Sequence, residues 1–273
     1  MTRFLVSCVQ LNSRADVAQN LATAARLCGE ARERGAQLAV LPENFAFMGV
    51  GEQEKFAHAE TLDATRPGPI LGALLEIATR TGMWIFGGGM PERSERDGFV
   101  HNTCVVVSPE GKLVTKYRKI HLFDVDIPGG AQFKESGTVA PGDAVVVAET
   151  PWARVGLSIC YDLRFPELYR ALTTAGARLV IVPAAFTLHT GKDHWLALLR
   201  ARAIENQVYV LAPGQVGRSH ADRACWGKSS VIDPWGALLA EAPDRECAIV
   251  AEVDLAWQDK IRRELPCLTH RRL

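Results

Sequence analysis

A cysteine in the segment VGLSICYDLRFPELYR, residues 155–170, lies where an apolar strand is expected to end and a helix to begin. Pro166 favours the first position of that helix, and Glu167 favours its first turn. A thiol between a strand end and a helix N-terminus is exposed at the sheet edge and lies near the positive end of the helix dipole. Such a setting lowers the thiol pKa and favours the nucleophilic thiolate. We therefore predict that Cys160 is a nucleophile; a buried cysteine at a strand end is the alternative.

A nucleophilic thiol needs a base, and two kinds of residue are candidates. His189 and His194 follow Cys160 in the papain-like order, but the Cys-Gly-x-Cys-aromatic setting of those enzymes is absent. Glu43, in LPENF, comes just after the apolar run LAVL. Burial there would raise the pKa of its carboxyl group toward neutrality, as a general base requires. An acidic group at the end of an apolar strand is costly unless it is paired or used, and a solvated glutamate at a loop start is the alternative.

A lysine in YRKIHLFD, residues 117–124, is the third candidate. Side chains alternate between the two faces of a strand, so Tyr117, Lys119 and His121 share one face and the residues between them the other. Lys119 is therefore predicted to point inward, although a solvated run of positive charge is the commoner meaning of such a segment. An ammonium beside the thiol would stabilise the oxyanion of a tetrahedral intermediate, together with the backbone N–H of Tyr161.

Short β-branched runs recur along the chain and predict the strands that must position these side chains. Several are apolar throughout, which is typical of strands covered on both faces. The runs are FLVSCVQL, QLAVLP, MWIFGGG, TCVVVS, AVVVA, VGLSIC, RLVIVP, VYVLAP, SSVID and AIVAEVD. Amphipathic helices are predicted at about 16–34, followed by Gly35 as the residue that ends the helix, and at about 191–206.

The chain also contains an internal duplication. Residues 35–44 read GAQLAVLPEN and residues 176–185 read GARLVIVPAA, and each is preceded by a predicted helix. Each half later has a strand closed by a similar turn, PEGKL at 109–113 and PWGAL at 234–238. Two α-β-β units that each carry helices on one sheet face must bury the other face against each other. We predict an α/β fold, a four-layer α-β-β-α sandwich built from two similar halves.

Composition and charge exclude several classes of protein. Lys plus Arg and Asp plus Glu each number 31, with no long run of like charge, which excludes a typical nucleic-acid binder. No stretch approaches 18 apolar residues and no signal-like segment is present, so we expect a cytoplasmic protein without membrane spans. The seven cysteines form no Cys-x-x-Cys pair, which argues against a disulfide framework or a cysteine-rich zinc site. The glycines 87–89 lack the dinucleotide-binding spacing and indicate close backbone packing.

The segments LPENF, YRKIHLFD and SICYDLRFPELYR, in this order, resemble the Glu, Lys and Cys signatures of the nitrilase, or carbon–nitrogen hydrolase, superfamily. The resemblance extends over nearly the full length, through HWLALLRARAIENQVYV and VIDPWG, and indicates one domain at 1–273. It implies that Glu43 is the general base, Lys119 the oxyanion stabiliser and Cys160 the nucleophile. It also implies that Glu135, in FKES, holds Lys119 and helps position substrate or water, since a buried ammonium needs compensating charge.

Within the superfamily the chain is most similar to the Nit branch, whose amidases act on α-keto-acid amides. PENFAFMG at 42–49 and the segment 201–236 resemble the amidase of deaminated glutathione, whereas HLFDVDIPGGAQFKES at 121–136 resembles the ω-amidase that acts on α-ketoglutaramate. The resemblance implies hydrolysis of a terminal amide to a carboxylate and ammonia through a thioester, with no metal or other cofactor. A nitrilase, an N-carbamoyl amidase or a non-catalytic binding protein on the same fold are the alternatives.

Two further residues are candidates for binding the substrate. Arg164, four residues after Cys160, is expected at the pocket mouth, where it could bind a substrate carboxylate bidentately. Pairing of Arg164 with Asp162 or Glu167 is an equally open alternative. Thr187, in AAFT, is expected to line the same pocket, although a threonine that ends a strand is usually structural.

The resemblance also suggests a homodimer. The helix after Cys160 and the tail LPCLTHRR, residues 265–272, are the candidate contact surfaces. The basic tail could instead be a frayed end.

Overall fold

Five α-helices alternate with strands in the computed structural model, which describes residues 2–51, 53–126, 132–220 and 223–272. The helices are α1 Val17–Glu33, α2 Pro69–Thr81, α3 Pro166–Thr174, α4 Leu188–Asn206 and α5 Leu255–Glu264. The strands are β1 Arg3–Gln10, β2 Leu38–Val40, β3 Trp84–Arg93, β4 Val100–Val107, β5 Leu113–Arg118, β6 Asp124–Asp126, β7 Gln132–Lys134, β8 Val147–Glu149, β9 Arg154–Gly156, β10 Leu179–Ile181, β11 Tyr209–Ala212, β12 Val216–His220, β13 Arg223–Trp226, β14 Ser230–Ile232, β15 Leu238–Glu241 and β16 Cys247–Asp254.

The two large sheets have the same strand order and directions. The first is β16-β1-β2-β3-β4-β5, and the second, taken from its other edge, is β8-β9-β10-β11-β14-β15. In each sheet the second, third and fourth strands are parallel and the other three are antiparallel to their neighbours. The runs GAQLAVLPEN and GARLVIVPAA contribute β2 and β10, which occupy equivalent positions. The predicted duplication is confirmed.

The sheets pack face to face, and the helices cover their outer faces. Helices α1 and α2 lie on the first sheet, and α3 and α4 lie on the second. Alternate residues of the first sheet divide between two cores, as the period of a strand requires. Those facing the second sheet include Val40, Phe86 and Val106, and those facing α1 and α2 include Ala39, Ile85 and Val105. The four-layer α-β-β-α sandwich is confirmed.

The turns PEGKL and PWGAL are also equivalent. In each turn, the backbone N–H of the residue before the proline donates to the carbonyl of the residue after the glycine. These bonds run from Ser108 to Lys112 and from Asp233 to Ala237. Gly111 and Gly236 have φ values of +67° and +87°, a backbone conformation that favours glycine. These turns join β4 to β5 and β14 to β15 and set the register of both hairpins.

Helix α1 begins after Asp16, whose carboxylate accepts from the backbone N–H of Gln19 at 3.0 Å. Helix α4 starts at Leu188, three residues before the predicted start at Gly191. Gly191 lies inside the helix, at a position that requires glycine because a Cβ there would overlap the side chain of Trp226. Tertiary packing, and not helix termination, explains this glycine.

No helix among the described residues is long and apolar enough to cross a membrane. All seven cysteines are free thiols.

A buried carboxylate holds the start of α2. Glu60 accepts from the backbone N–H groups of Ile70 at 2.6 Å and Leu71 at 3.0 Å, and its own backbone pairs with Pro91 and Arg93 of β3. These N–H groups are among those that a helix cannot satisfy by itself. Glu60 thereby ties the helix layer to the sheet.

We expect Glu60→Ala to lower the free energy of unfolding by about 2 kcal/mol, because two buried N–H groups lose their acceptor. The shift in the midpoint of urea unfolding measures this loss. Glu76→Ala, in the exposed part of the same helix, is the matched control and should change the stability by less than about 0.5 kcal/mol. Equal midpoints for the two variants would contradict the capping role of Glu60.

Candidate active site

A pocket of about 1040 Å³, including its open mouth, lies at the carboxyl ends of the central strands of both sheets. Strand ends are where α/β folds commonly bind ligands. The seven residues predicted for the site all line this pocket. They are Glu43, Lys119, Glu135, Cys160, Tyr161, Arg164 and Thr187.

Glu43 lies three residues beyond the end of β2 and is 4% exposed. Its Oε1 accepts from Lys119 Nζ at 2.9 Å and from Asn102 Nδ2 at 2.9 Å. Its Oε2 accepts from the backbone N–H of Ala185 at 2.9 Å, in the segment after β10. The carboxylate therefore joins the two halves of the molecule and is not the solvated loop glutamate of the alternative interpretation.

Lys119 directly follows β5 and is 1% exposed, with its ammonium between two carboxylates. Nζ donates to Glu43 Oε1 at 2.9 Å and to Glu135 Oε2 at 2.8 Å. Glu135 Oε2 also accepts from the backbone N–H of Phe123 at 2.7 Å. Burial alone would lower the pKa of Lys119, but the two carboxylates outweigh it and raise the pKa well above its ordinary value. The lysine points inward, as predicted from strand alternation, and carries its charge.

The backbone around Cys160 differs from the prediction. Strand β9 ends at Gly156 and not at the cysteine. The neighbouring strand β10 is followed by Pro183, which has no N–H to donate to a strand ladder. The carbonyl of Pro183 accepts from the backbone N–H of Cys160 at 2.9 Å. A 3₁₀ helix, Cys160–Arg164, then precedes α3, whose first residue is Pro166 as predicted. Cys160 itself has φ +47°, a left-handed conformation that is strained for a residue with a side chain.

The prediction that this setting lowers the thiol pKa is wrong. Burial and the negative charge of Glu43 raise the pKa of Cys160 well above its ordinary value, and the charge of Lys119 offsets them only in part. For Glu43, burial raises the pKa, but Lys119 and the hydrogen bonds from Lys119, Cys160 and Ala185 bring it below the ordinary value. The proton therefore resides on sulfur, and the thiol is hydrogen-bonded to a carboxylate that can accept it.

The histidines lie elsewhere. His194 Nδ1 is 3.4 Å from the guanidinium of Arg164, and His189 is exposed on α4. The hydrogen-bond partner of the Cys160 thiol is Glu43. The arrangement favours the carboxylate over histidine as the base.

Asn102, within β4, is a site residue that the sequence reasoning missed. Its Nδ2 donates to Glu43 Oε1 at 2.9 Å and to Glu135 Oε1 at 3.3 Å, so one amide orients both carboxylates. Its backbone carbonyl accepts from the N–H of Lys119 at 2.9 Å. The available signal was the polar run HNT, residues 101–103, at the start of the strand VHNTCVVV, which is buried throughout.

Asp162, which the sequence offers as a partner of Arg164, has a different role in the structure. This fully buried carboxylate accepts from Ile159 N at 2.8 Å and Tyr117 Oη at 2.7 Å. It also bonds to the backbone N–H and Nδ1 of His121, at 3.1 Å and 2.7 Å. Asp162 thus ties the turn that carries the thiol to the segment on both sides of Lys119.

The predicted close packing at glycines 87–89 serves the site. A Cβ at Gly88 would overlap the Leu41 carbonyl and Pro183. A Cβ at Gly89 would lie 2.7 Å from Asn102 Oδ1 and 3.3 Å from Glu43 Cγ. Strand β3 can therefore pass close to Glu43 only because the residues at these positions have no side chains.

Arg164 is held by aromatic rings and not by a carboxylate. Its guanidinium lies 5.3 Å from the ring of Phe186 and 5.9 Å from that of Tyr161. Within the described parts of the chain no ion pair joins it to Asp162 or Glu167. Contacts with two rings hold the guanidinium in the wall of the pocket without neutralising its charge.

Thr187 precedes α4, and its hydroxyl shares a hydrogen bond of 2.8 Å with that of Thr190. Tyr161 occupies the first turn of the 3₁₀ helix, where backbone N–H groups have no partner within the helix. In the described ranges no group of three or more His, Cys, Asp or Glu side chains is arranged to hold a metal ion.

The charges around the thiol lead to a direct prediction. Glu43→Gln removes the negative charge that raises the pKa of Cys160, so the midpoint of thiolate formation should move to lower pH. Lys119→Met removes the positive charge and should move it to higher pH. Thiolate absorbance at 240 nm, with Cys160→Ser in the same background subtracted, measures both shifts. An unchanged midpoint in Glu43→Gln would show that Glu43 does not hold the thiol in its neutral form.

Comparison with known proteins places this geometry in a family. The carbon-nitrogen hydrolase profile matches residues 5–263. The omega-amidase NIT2 of Xenopus tropicalis is 40% identical over 272 residues, covering 100% of this chain and 96% of that protein. The deaminated glutathione amidase of Synechocystis sp. (strain PCC 6803 / GT-S) is 42% identical over 274 residues, covering 99% of each.

Solved structures agree with these similarities. The C. elegans NitFhit protein superposes with a TM-score of 0.92 at 36% identity, covering 100% of this chain and 66% of that chain. Saccharomyces cerevisiae Nit3, a member of branch 10 of the nitrilase superfamily, gives 0.90 at 32% identity, with 100% and 97% covered. The resemblance that the three motifs indicated is confirmed. The chain belongs to the carbon-nitrogen hydrolase family and is an amidase-type hydrolase of carbon–nitrogen bonds other than peptide bonds.

Proposed function

We propose that this enzyme is a cysteine-dependent amidase that hydrolyses a small α-keto-acid amide of the deaminated-glutathione type through a thioester. The observation that carries the proposal is the hydrogen-bonded pair of Cys160 thiol and Glu43 carboxylate beside the Lys119 ammonium. A nucleophile, its base and a fixed positive charge are the three parts that acyl transfer requires.

In the first half of the reaction, Cys160 Sγ attacks the amide carbon while Glu43 takes the thiol proton. The ammonium of Lys119 has three N–H donors, of which two go to Glu43 and Glu135, and the third is available for the oxyanion. The backbone N–H of Tyr161 is the second oxyanion donor. Glu43 then gives the proton to the leaving nitrogen, the C–N bond breaks, and the acyl group remains on sulfur as a thioester.

In the second half, water attacks the thioester carbon and Glu43 takes a proton from it. The C–S bond breaks, the carboxylic acid product forms, and Glu43 returns the proton to the sulfur. Glu135 stays bound to Lys119 throughout and keeps the ammonium aimed at the oxyanion. The released amine is ammonia when the amide is unsubstituted. Every step uses side chains already present, and the proposal includes no metal or cofactor.

Arg164 and Thr187 are proposed to bind the acid end of the substrate. A guanidinium that lines the pocket and pairs with no carboxylate among the described residues suits a substrate carboxylate. An ω-amidase that acts on α-ketoglutaramate is the second candidate, because the Xenopus tropicalis omega-amidase matches this chain over 96% of its own length, at 40% identity against 42% for the deaminated glutathione amidase. Hydrolysis rates on a panel that also contains nitriles and N-carbamoyl acids distinguish these two amidase activities from the other reactions of the family.

We expect Cys160→Ser to lower the hydrolysis of α-ketoglutaramate and deaminated glutathione by at least about 10³-fold, because the hydroxyl is a far weaker nucleophile in this site. Release of α-ketoglutarate, which both substrates yield, measures the rate. Cys247→Ser, on the edge strand β16 and partly exposed, is the control and should retain full activity. Full activity in Cys160→Ser would remove the cysteine from the mechanism, and preference of the wild type for a simple nitrile would exclude the keto-acid-amide proposal.

The identity of the base is tested by a pair of variants. Glu43→Gln keeps the size of the side chain but cannot accept the thiol proton, and kcat should fall by about 10²–10⁴-fold. His194→Ala should stay within a few-fold of wild type, because His194 contacts Arg164 and not the thiol. Thermal unfolding of both variants checks that they are folded. A crippled His194 variant beside an active Glu43 variant would overturn the assignment.

The homodimer, formed through α3 and the tail 265–272, also stays a proposal. The cytoplasmic location and the single domain at 1–273 stay predictions.

A further inference from the structure

We propose that Arg223 forms a second anion site in this pocket, which binds a carboxylate on the amine part of the substrate. The preferred substrate is then an amide with a carboxylate on each side of the scissile C–N bond, such as an α-keto diacid joined to a short peptide. This inference rests on the proposed amidase function and selects between its two candidate substrates.

The first observation is an excess of positive charge at the mouth of the pocket. Deep in the pocket, the charge of Lys119 is compensated by Glu43 and Glu135. Nearer the mouth, Arg164 and Arg223 both line the cavity, and in the described parts of the chain neither forms an ion pair. Two guanidinium groups that have no ion pair with any described residue repel each other in one cavity, and a ligand with negative charge relieves this repulsion.

The second observation is that Arg223 is held in place by the fold. Strand β13 is joined to the segment after β10 by a bridge between Cys225 and Thr187 and by a hydrogen bond of 2.9 Å from Trp226 N to the Phe186 carbonyl. The side chain of Cys225 packs in a small core with Met48 and Ala185. Arg223 is two residues along the same strand and so projects from the same face, beyond that core and toward the mouth.

The two arginines belong to different walls of the pocket. Arg164 is on the 3₁₀ helix that begins with Cys160, and its guanidinium rests on Tyr161 and Phe186. Arg223 lies on the hairpin β12–β13, with its guanidinium 6.0 Å from the ring of Phe133. Arg164 shares its helix with the sulfur that retains the acyl group, so we assign it to the acyl carboxylate. Arg223 is then the site for a carboxylate on the part that leaves.

The number of carboxylates distinguishes the two candidate substrates. Deaminated glutathione carries one carboxylate on its ketoacyl part and another on the glycine of its leaving cysteinylglycine, whereas α-ketoglutaramate releases only ammonia. The two anion sites therefore favour deaminated glutathione over α-ketoglutaramate as the substrate.

The experiment compares wild type, Arg223→Gln and Arg164→Gln on three substrates. These are α-ketoglutaramate, deaminated glutathione and deaminated glutathione with its glycine carboxylate converted to a carboxamide. We expect Arg223→Gln to lower kcat/KM for deaminated glutathione by about 10- to 100-fold, mainly through KM, the loss typical of one charged hydrogen bond. The same variant should act on the other two substrates within about 2-fold of wild type. Arg164→Gln should impair all three.

Two controls accompany this comparison. Arg218→Gln changes an exposed arginine of the same hairpin outside the pocket and should leave all three rates unchanged. Wild type should prefer deaminated glutathione to its carboxamide by the same 10- to 100-fold, which tests the site without any mutation.

The second anion site would be overturned by equal losses on all substrates in Arg223→Gln, by no loss on deaminated glutathione in that variant, or by a wild type that does not distinguish the carboxylate from the carboxamide. A wild type that hydrolyses α-ketoglutaramate but not deaminated glutathione would also overturn it, while leaving the amidase proposal intact. Failure to hydrolyse either amide would refute the proposed function itself, and the second site with it.

Discussion

The ammonium of Lys119 is buried, and the rest of the site depends on how its charge is satisfied. A lysine taken out of water keeps its proton only when anions compensate for the lost hydration. Glu43 and Glu135 supply that compensation at 2.9 Å and 2.8 Å, and Asn102 bridges the two carboxylates. These residues come from four separate segments, so the lysine remains charged only when the first sheet and the segments after its strands are in place.

The same charges decide where the proton of the thiol resides. Glu43 has its pKa lowered by Lys119, whereas Cys160 has its pKa raised by burial and by Glu43. The resting site therefore holds a carboxylate, an ammonium and a neutral thiol. A neutral thiol is a poor target for oxidation and adventitious electrophiles. In the proposed mechanism, the proton leaves the thiol only when attack on a carbonyl creates an oxyanion for Lys119 to stabilise.

The duplicated architecture explains how distant residues meet. Strands β2 and β10 occupy equivalent positions in the two sheets, and their following segments provide Glu43 in one half and Ala185 in the other. The halves share a backbone plan but have different chemistry, since the glutamate of the first half corresponds to Ala184 in the second. Asp162 completes the arrangement by joining the thiol turn of the second half to the lysine segment of the first.

The sequence by itself determined which apolar runs form strands, the duplication, and the choice of Glu43, Lys119 and Cys160 as residues of one site. These features depend on local pattern and on motifs a few residues long. The tertiary structure decided the rest. The ionisation of Cys160, the bridging role of Asn102, and the bonds of Asp162 to Tyr117 and His121 depend on groups 33 or more residues away. The same holds for Arg164 and Arg223: the sequence shows their charge, but only the structure shows that neither forms an ion pair with a described residue. Burial and distance set these properties, and no local pattern encodes either.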